Sequence, residues 1–258
     1  MPDHSSWFNF IIPNFQEILA RFRENMGLSL INKTPVEIQY VIGFVFIVVV
    51  LLLLMLTARG RIVSKDNELE LDGRFSPRTF FEAMIEGTLS QMEAVMERKD
   101  ALFFLPLIGT CAFVILFSNL IGLVPGFLPP TSNLSTTFAM AGVVFFVTHL
   151  YGCKEHGVIG YFAHWCGPIR KWYALPLMLL MFCIEIVSHL ARPLSLSVRL
   201  MGNMYADHAV VGTFAGLVPV FLPIPVMLLG VVVCIVQTAV FCILSMVYIG
   251  MAVAHEEH

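Results

Sequence analysis

The sequence predicts an all-α, polytopic membrane protein with about five membrane helices, and three observations carry that prediction. Of 258 residues, 58% are hydrophobic and only 13% are charged, where a soluble domain carries roughly 25% charged residues. The charges are clustered, which leaves long apolar runs near the roughly 20 residues that cross a bilayer core about 30 Å thick. The loops between those runs alternate in their Lys and Arg content, as the loops of multi-span chains do.

Five apolar blocks stand out, at 38–57, 102–124, 134–152, 174–217 and 220–254. The segment 58–100 carries seven Lys/Arg, the loop 125–133 none, the loop 153–173 three, and the turn near Pro219 none. Five spans with the N-terminus outside and the C-terminus in the cytoplasm fit all four. Before the first span, Phe15, Ile18, Leu19, Phe22 and Met26 recur at helical spacing opposite Glu17, Arg21 and Arg23, an amphipathic helix on the outer surface. Residues 78–98 repeat the pattern on the cytoplasmic side, with Phe81, Ile85, Leu89 and Met92 on one face. No signal peptide is expected, because the first long apolar run begins near Ile38. The whole chain, 1–258, reads as one membrane domain: an outer-surface segment 1–37, a first span 38–57, a cytoplasmic segment 58–101, spans two and three in 102–152, a cytoplasmic loop 153–173 and a helix hairpin 174–254.

The fourth block carries the chemistry. As one helix, residues 174–217 would extend roughly 66 Å, about twice the hydrocarbon thickness. Such a helix tilts steeply, kinks or breaks, and Pro193 is a plausible kink. At about 100° per residue with Arg199 at zero, Arg192 falls near 20°, Ser188 near −20°, Ser195 near −40°, Glu185 and Asn203 near 40°, and His189 and Asp207 near 80°. His208 faces the other way. Charged groups in a bilayer are retained where they face water, a partner charge or protein. Glu185 and Arg192 have each other as neighbours, but Arg199 has no acidic residue three or four positions away, so its carboxylate partner is expected from elsewhere, including another chain. The fifth block offers a sparser polar face with Gln237 and Tyr248 about 20° apart and Gly230 close by.

The run RPLSLSVRLMGNMYADH at 192–208 resembles the signature of subunit a of F-type rotary ATP synthases, bacterial type. The resemblance continues through VQTAVFCILSMVYIGMAVAHEEH at 236–258 and NLIGLVPGFLPPTSNLSTTFAMA at 119–141, and is strong over 100–258. It implies a membrane stator beside a rotating ring of c subunits, each bearing one membrane-embedded carboxyl, with two aqueous half-channels that load and unload the ring. It implies Arg199 as the essential arginine between the half-channels. It also implies ion-pathway roles for Glu185 on the cytoplasmic side, for Asn203, Gln237 and Tyr248 near the arginine, and for Asp207 and His208 on the inlet side. His189, Arg192, Ser195 and Gly230 take supporting places. The implied partners are the c ring, the b-subunit peripheral stalk, the rest of the complex and the lipid bilayer, and the implied location is the bacterial inner membrane. The chain departs from the family where it has Asp207 in place of the usual Gly and Gly230 in place of the usual His or Glu. Small and ionisable residues are thus exchanged between helices, and Gly230 is expected to make room for the Asp207 carboxylate, which would pair or relay with His208.

Other chemistries fit less well. No basic stripe points to nucleic acid, and no cofactor is expected. The tail His255-Glu256-Glu257-His258 lacks the H-E-x-x-H spacing, and His149, His156 and His164 flank a loop without ligand-like clustering, so no metal site is expected. The six cysteines form no C-x-x-C pair and read as small buried hydrophobes. An ion-coupled secondary transporter is the alternative, but such folds show two related halves. The sequence leaves proton and sodium both open as coupling ion, and ring size unread.

Overall fold

A computed structural model of the chain describes residues 38–62, 77–124, 127–157, 160–161, 175–217 and 223–253. The expected outer amphipathic helix at Phe15–Met26 lies outside these residues. Six α-helices have described bounds: α1 (Ile38–Ile62), α2 (Pro77–Glu93), α3 (Arg98–Gly122), α4 (Leu134–His156), α5 (Leu175–Leu217) and α6 (Pro223–Val253), with a 3-10 turn at Pro130–Ser132 before α4. No strand occurs among the described residues. Among the described residues, four helices are long and apolar enough to cross a membrane, over Arg98–Gly122, Leu134–Lys154, Leu177–Phe214 and Ile224–Ala252, and α1 carries a shorter apolar stretch at Tyr40–Leu56.

Several helix ends differ from the sequence-derived bounds, and two of the differences have plain physical reasons. The amphipathic segment expected at 78–98 ends as a helix at Glu93, and a turn precedes α3, whose first turn takes in Arg98 and Asp100. Arg98 reaches back across that turn to Glu93 at 3.5 Å. On α2, Met92 is fully covered and Phe81 and Leu89 partly so, whereas Ile85 is exposed. The last helix starts at Pro223, a first-turn position where a missing N–H leaves no bond unmade. Helix α5 runs unbroken through Pro193 for 43 residues, about 65 Å of rise. Pro193 cannot donate to the His189 carbonyl, yet the helix continues on its Leu- and Met-rich flanks.

The chain groups into two compact units. The first gathers residues 1–82, 113–133 and 203–236. Within it, α1 packs on the 3-10 turn, and the Phe46 and Phe127 rings stack at 6.3 Å. Asn119, buried on α3, accepts a 2.7 Å hydrogen bond from Thr131 Oγ1. Gly122 permits the return of the chain: a Cβ there would lie 2.5 Å from Pro129 Cβ, and a proline ring cannot swing aside. Gly122→Ala is therefore expected to destabilise the fold by about 1–3 kcal/mol through overpacking, read as a lower inactivation temperature of the purified complex.

The second unit gathers residues 83–112, 134–202 and 237–258. Its core joins Met92 of α2, Ala101, Phe104, Ile108 and Ala112 of α3, and Cys242, Met246 and Ile249 of α6. Tyr151 of α4 meets the edges of Phe103 and Phe104 at 5.2 and 5.0 Å. Deeper along α4, the Thr137 and Ser197 hydroxyls share a buried 3.0 Å hydrogen bond that ties α4 to α5. Among the described residues no disulfide forms: Cys111, Cys234 and Cys242 are buried, and Cys183 is exposed.

Candidate functional site

Helix α5 presents two different faces to its surroundings. Pro193, Leu196, Ser197, Leu200 and Met204 are buried, and by helical rotation they occupy an arc from about 60° to 160° from Arg199. Arg199 stands outside that arc and is exposed, together with Ser195, Val198 and Asn203. Among the described residues no carboxylate lies within ion-pair distance of Arg199. None of the most apolar stretch of this helix is buried inside the chain. A fixed positive charge therefore sits on an open face of a membrane-length helix.

Toward the start of α5, in the second unit, the polar residues turn inward and form a cluster. Glu185 Oε1 lies 3.3 Å from His189 Nε2 and 3.9 Å from Arg192 Nη2. The Arg192 guanidinium also sits 5.2 Å over the Tyr248 ring of α6, a cation–π contact that holds its charge beside the carboxylate. His189 is only 8% exposed, Gln237 only 5%, and Glu185, Arg192 and Tyr248 are half-buried. A cleft of about 300 Å³ opens among these groups, lined by His189, Arg192, Leu196, Tyr248 and, from α4, Thr148 and His149.

A second polar cluster lies in the first unit, past Arg199 along α5. Asp207 and His208 line a cleft of about 260 Å³ with Asn119, Leu123, Met204 and Cys234. The two ionisable groups share the cleft without forming an ion pair. Asp207 Oδ2 is buried with no hydrogen-bond partner among the described residues, and so is the Asn119 side-chain Nδ2. An orphaned acceptor and an orphaned donor thus line one small space, where buried polar groups are otherwise paired. Gly230 acts through Leu123: a Cβ at Gly230 would lie 2.5 Å from Leu123 Cδ2. The room left by the missing side chain is taken by Leu123, which walls the Asp207 cleft.

The sequence-derived residues thus separate into an exposed set (Ser195, Arg199, Asn203), an inward cluster (Glu185, His189, Arg192, with Tyr248) and a cleft (Asp207, His208, with Gly230 behind its wall). Gln237 is buried on α6. Two participants escaped the sequence reading, His149 and Asn119. The spacing Ala141, Val144, Thr148 marks the small-residue face of α4 that carries His149, and all four line the same cleft.

The family described as ATP synthase A chain matches residues 40–250. A protein of Sorangium cellulosum (strain So ce56) named ATP synthase subunit a is 38% identical over 261 residues, covering 100% of both chains. Another, from Geobacter sulfurreducens, is 49% identical over 172 residues, 67% of this chain and 72% of that one. A protein of Syntrophotalea carbinolica named ATP synthase subunit a 2 is 49% identical over 173 residues, 67% of this chain and 71% of that one.

Proposed function

The chain belongs to the ATP synthase A chain family, and from that premise we propose that it is the stator whose Arg199 separates two half-channels beside a rotating c ring. It is a membrane protein and one component of a complex, so its work is ion translocation coupled to ATP synthesis elsewhere in the assembly. The observation that carries this reading is Arg199, exposed and without an ion-pair partner among the described residues, on an open apolar helix. Lipid is a costly neighbour for a guanidinium, and a carboxyl arriving on a passing ring supplies the counter-charge. The ring carboxyl is favoured in its neutral form in lipid, because charge is costly there. Beside Arg199 it ionises, and its proton leaves by the adjoining half-channel. Arginine keeps its proton, so Arg199 blocks direct passage between channels. A proton crossing 100 mV carries about 2.3 kcal/mol, all of which a leak would dissipate.

The cluster of Glu185, His189, Arg192 and Tyr248 serves as the cytoplasmic half-channel, and Asp207 with His208 serves the inlet. They lie on opposite sides of Arg199 along α5: by helical rise Glu185 is about 21 Å before it and Asp207 about 12 Å after it. Asn203 and Gln237 flank the arginine. The loop charges orient the chain with its N-terminus outside and its C-terminus in the cytoplasm, in a bacterial inner membrane. The length of α5 against the bilayer demands a steep tilt of the α5–α6 hairpin, and the chain acts as one membrane domain beside a b-subunit stalk. The coupling ion is the proton, with sodium the competing choice.

Cross-linking tests the docking. Ser195→Cys, exposed one turn before Arg199, is expected to form a disulfide with a cysteine placed beside the ring carboxyl in membranes treated with oxidant. An assembled complex that gives no such product at any ring position would rule out this face as the ring contact.

A further inference from the structure

We propose that His149 of α4, paired with His189 of α5, is a proton-carrying residue of the cytoplasmic half-channel, so that this channel is built across two helices. The proposal rests on the half-channel reading above and extends it to a helix that reading leaves without a role.

Topology brings these residues together. Helix α4 ends, and α5 begins, on the same membrane side, because only residues 157–174 join two crossing helices. His149 lies seven residues before the end of α4 and His189 fourteen residues into α5, about 10 and 21 Å along their helices by helical rise. The two rings meet across that stagger, their centroids 5.0 Å apart and inclined at 72°, and both line the same cleft.

Hydrogen bonding fixes which nitrogen does what. His149 Nδ1 lies 2.8 Å from the Phe145 carbonyl, and a carbonyl only accepts. In the neutral ring Nδ1 therefore carries the hydrogen and Nε2 the lone pair. His189 Nε2 points at the Glu185 carboxylate, so there Nε2 carries the hydrogen and Nδ1 the lone pair. The two imidazoles are opposite tautomers. The ring centroids stand 5.0 Å apart, so water of the half-channel carries a proton from His149 Nε2 to His189 Nδ1, and the hydrogen on His189 Nε2 passes to Glu185 Oε1 at 3.3 Å. Each ring gains one proton and gives one, and no charge accumulates.

The surroundings make this a station for one proton at a time. Among the described residues, the titratable and charged groups facing the two rings are Glu185 and Arg192 from α5, Tyr248 from α6 and Tyr161, whose ring lies 5.9 Å from His149. With Arg192 already positive, two imidazolium rings at this separation would repel strongly, so the pair holds a single added proton. Aromatic contacts on both sides of His149, Phe145 at 4.0 Å and Tyr161, set the ring angle.

Passive proton conduction through inverted membrane vesicles carrying the holoenzyme, stripped of the soluble sector, tests the idea as a function of pH on the cytoplasmic side. His149→Phe keeps an aromatic ring in place but carries no proton. It is expected to lower conduction about tenfold, short of the ~10²-fold typical of a lost proton-transfer group because His189 still lines the cleft beside Glu185. It should also remove the inflection expected in the wild-type pH profile as an imidazole titrates. In His149→Ala, added imidazole should restore conduction, which repair of packing alone would not do. Conduction and pH profile unchanged in His149→Phe, with normal complex levels in the membrane, would overturn the proposal. Glu185→Gln separates the two readings: if it too leaves conduction intact, the half-channel assignment itself fails, whereas loss in Glu185→Gln beside a silent His149→Phe refutes only the role of His149.

Discussion

Replacing Arg199 by alanine is expected to remove most ATP-driven proton pumping and to raise the passive proton leak. Both effects follow from one position. Arg199 is exposed on α5 and has no ion-pair partner among the described residues, and in the reading proposed above its charge serves a carboxyl of the ring. Without it, a ring carboxyl has no counter-charge to release its proton at the right point of the cycle. Pumping in inverted vesicles is expected to fall at least about 10²-fold, the scale on which loss of one preorganised charge acts at a reaction centre. The leak, measured after the soluble sector is stripped, rises because the fixed positive barrier between the two polar clusters is gone. Arg199→Lys should rescue little of the coupling. Lysine supplies a point charge that can lose its proton, where arginine supplies a planar fork that keeps it. Normal pumping in Arg199→Ala would refute the assignment.

Much of this was legible in the residues. Apolar run length gave the helices, because lipid leaves the backbone no partner except its own. Family membership also decides against a secondary transporter. The polar stripe of α5 came from rotation alone, but rotation could not say which part of it is covered. The structure divides it: His189, near 80° from Arg199, is buried, Glu185 and Arg192 are half-buried, and Arg199 and Ser195 are exposed. What decides is the packing of α4 and α6, which no single helix encodes. His149 was missed for the same reason. It was grouped by sequence with His156 and His164 around a loop, whereas its partner His189 is 40 residues away and meets it only through the return of α5. Asn119 was quoted within a motif without a role, because its importance depends on Thr131 taking its oxygen and leaving its amide N–H without an acceptor.

The exchange at Asp207 and Gly230 was visible as a departure from the family pattern, and the structure alters how it works. Asp207 presents a buried, unpartnered oxygen to a cleft it shares with His208 and the Asn119 amide. If Asp207 is the inlet carboxylate, Asp207→Asn, which preserves shape and removes ionisation, should lower ATP-driven pumping about tenfold or more, on the scale of a lost proton-transfer group. Asp207→Gly should do the same, and Asp207→Glu should retain most of the rate. Moving the carboxylate to α6 is the stricter test. Gly230→Glu alone should be damaging, because its Cβ would meet Leu123 Cδ2 at 2.5 Å. In the Asp207→Gly background the same change should recover part of the pumping, since Leu123 ends in a flexible side chain that can move toward the space Asp207 vacates. Adding Leu123→Ala should increase that recovery by opening the wall between Gly230 and the cleft. Recovery would establish that the cleft needs one carboxylate and is indifferent to which helix supplies it. Full pumping in Asp207→Asn and Asp207→Gly would instead reduce Asp207 to a bystander and leave His208 as the ionisable group of the inlet.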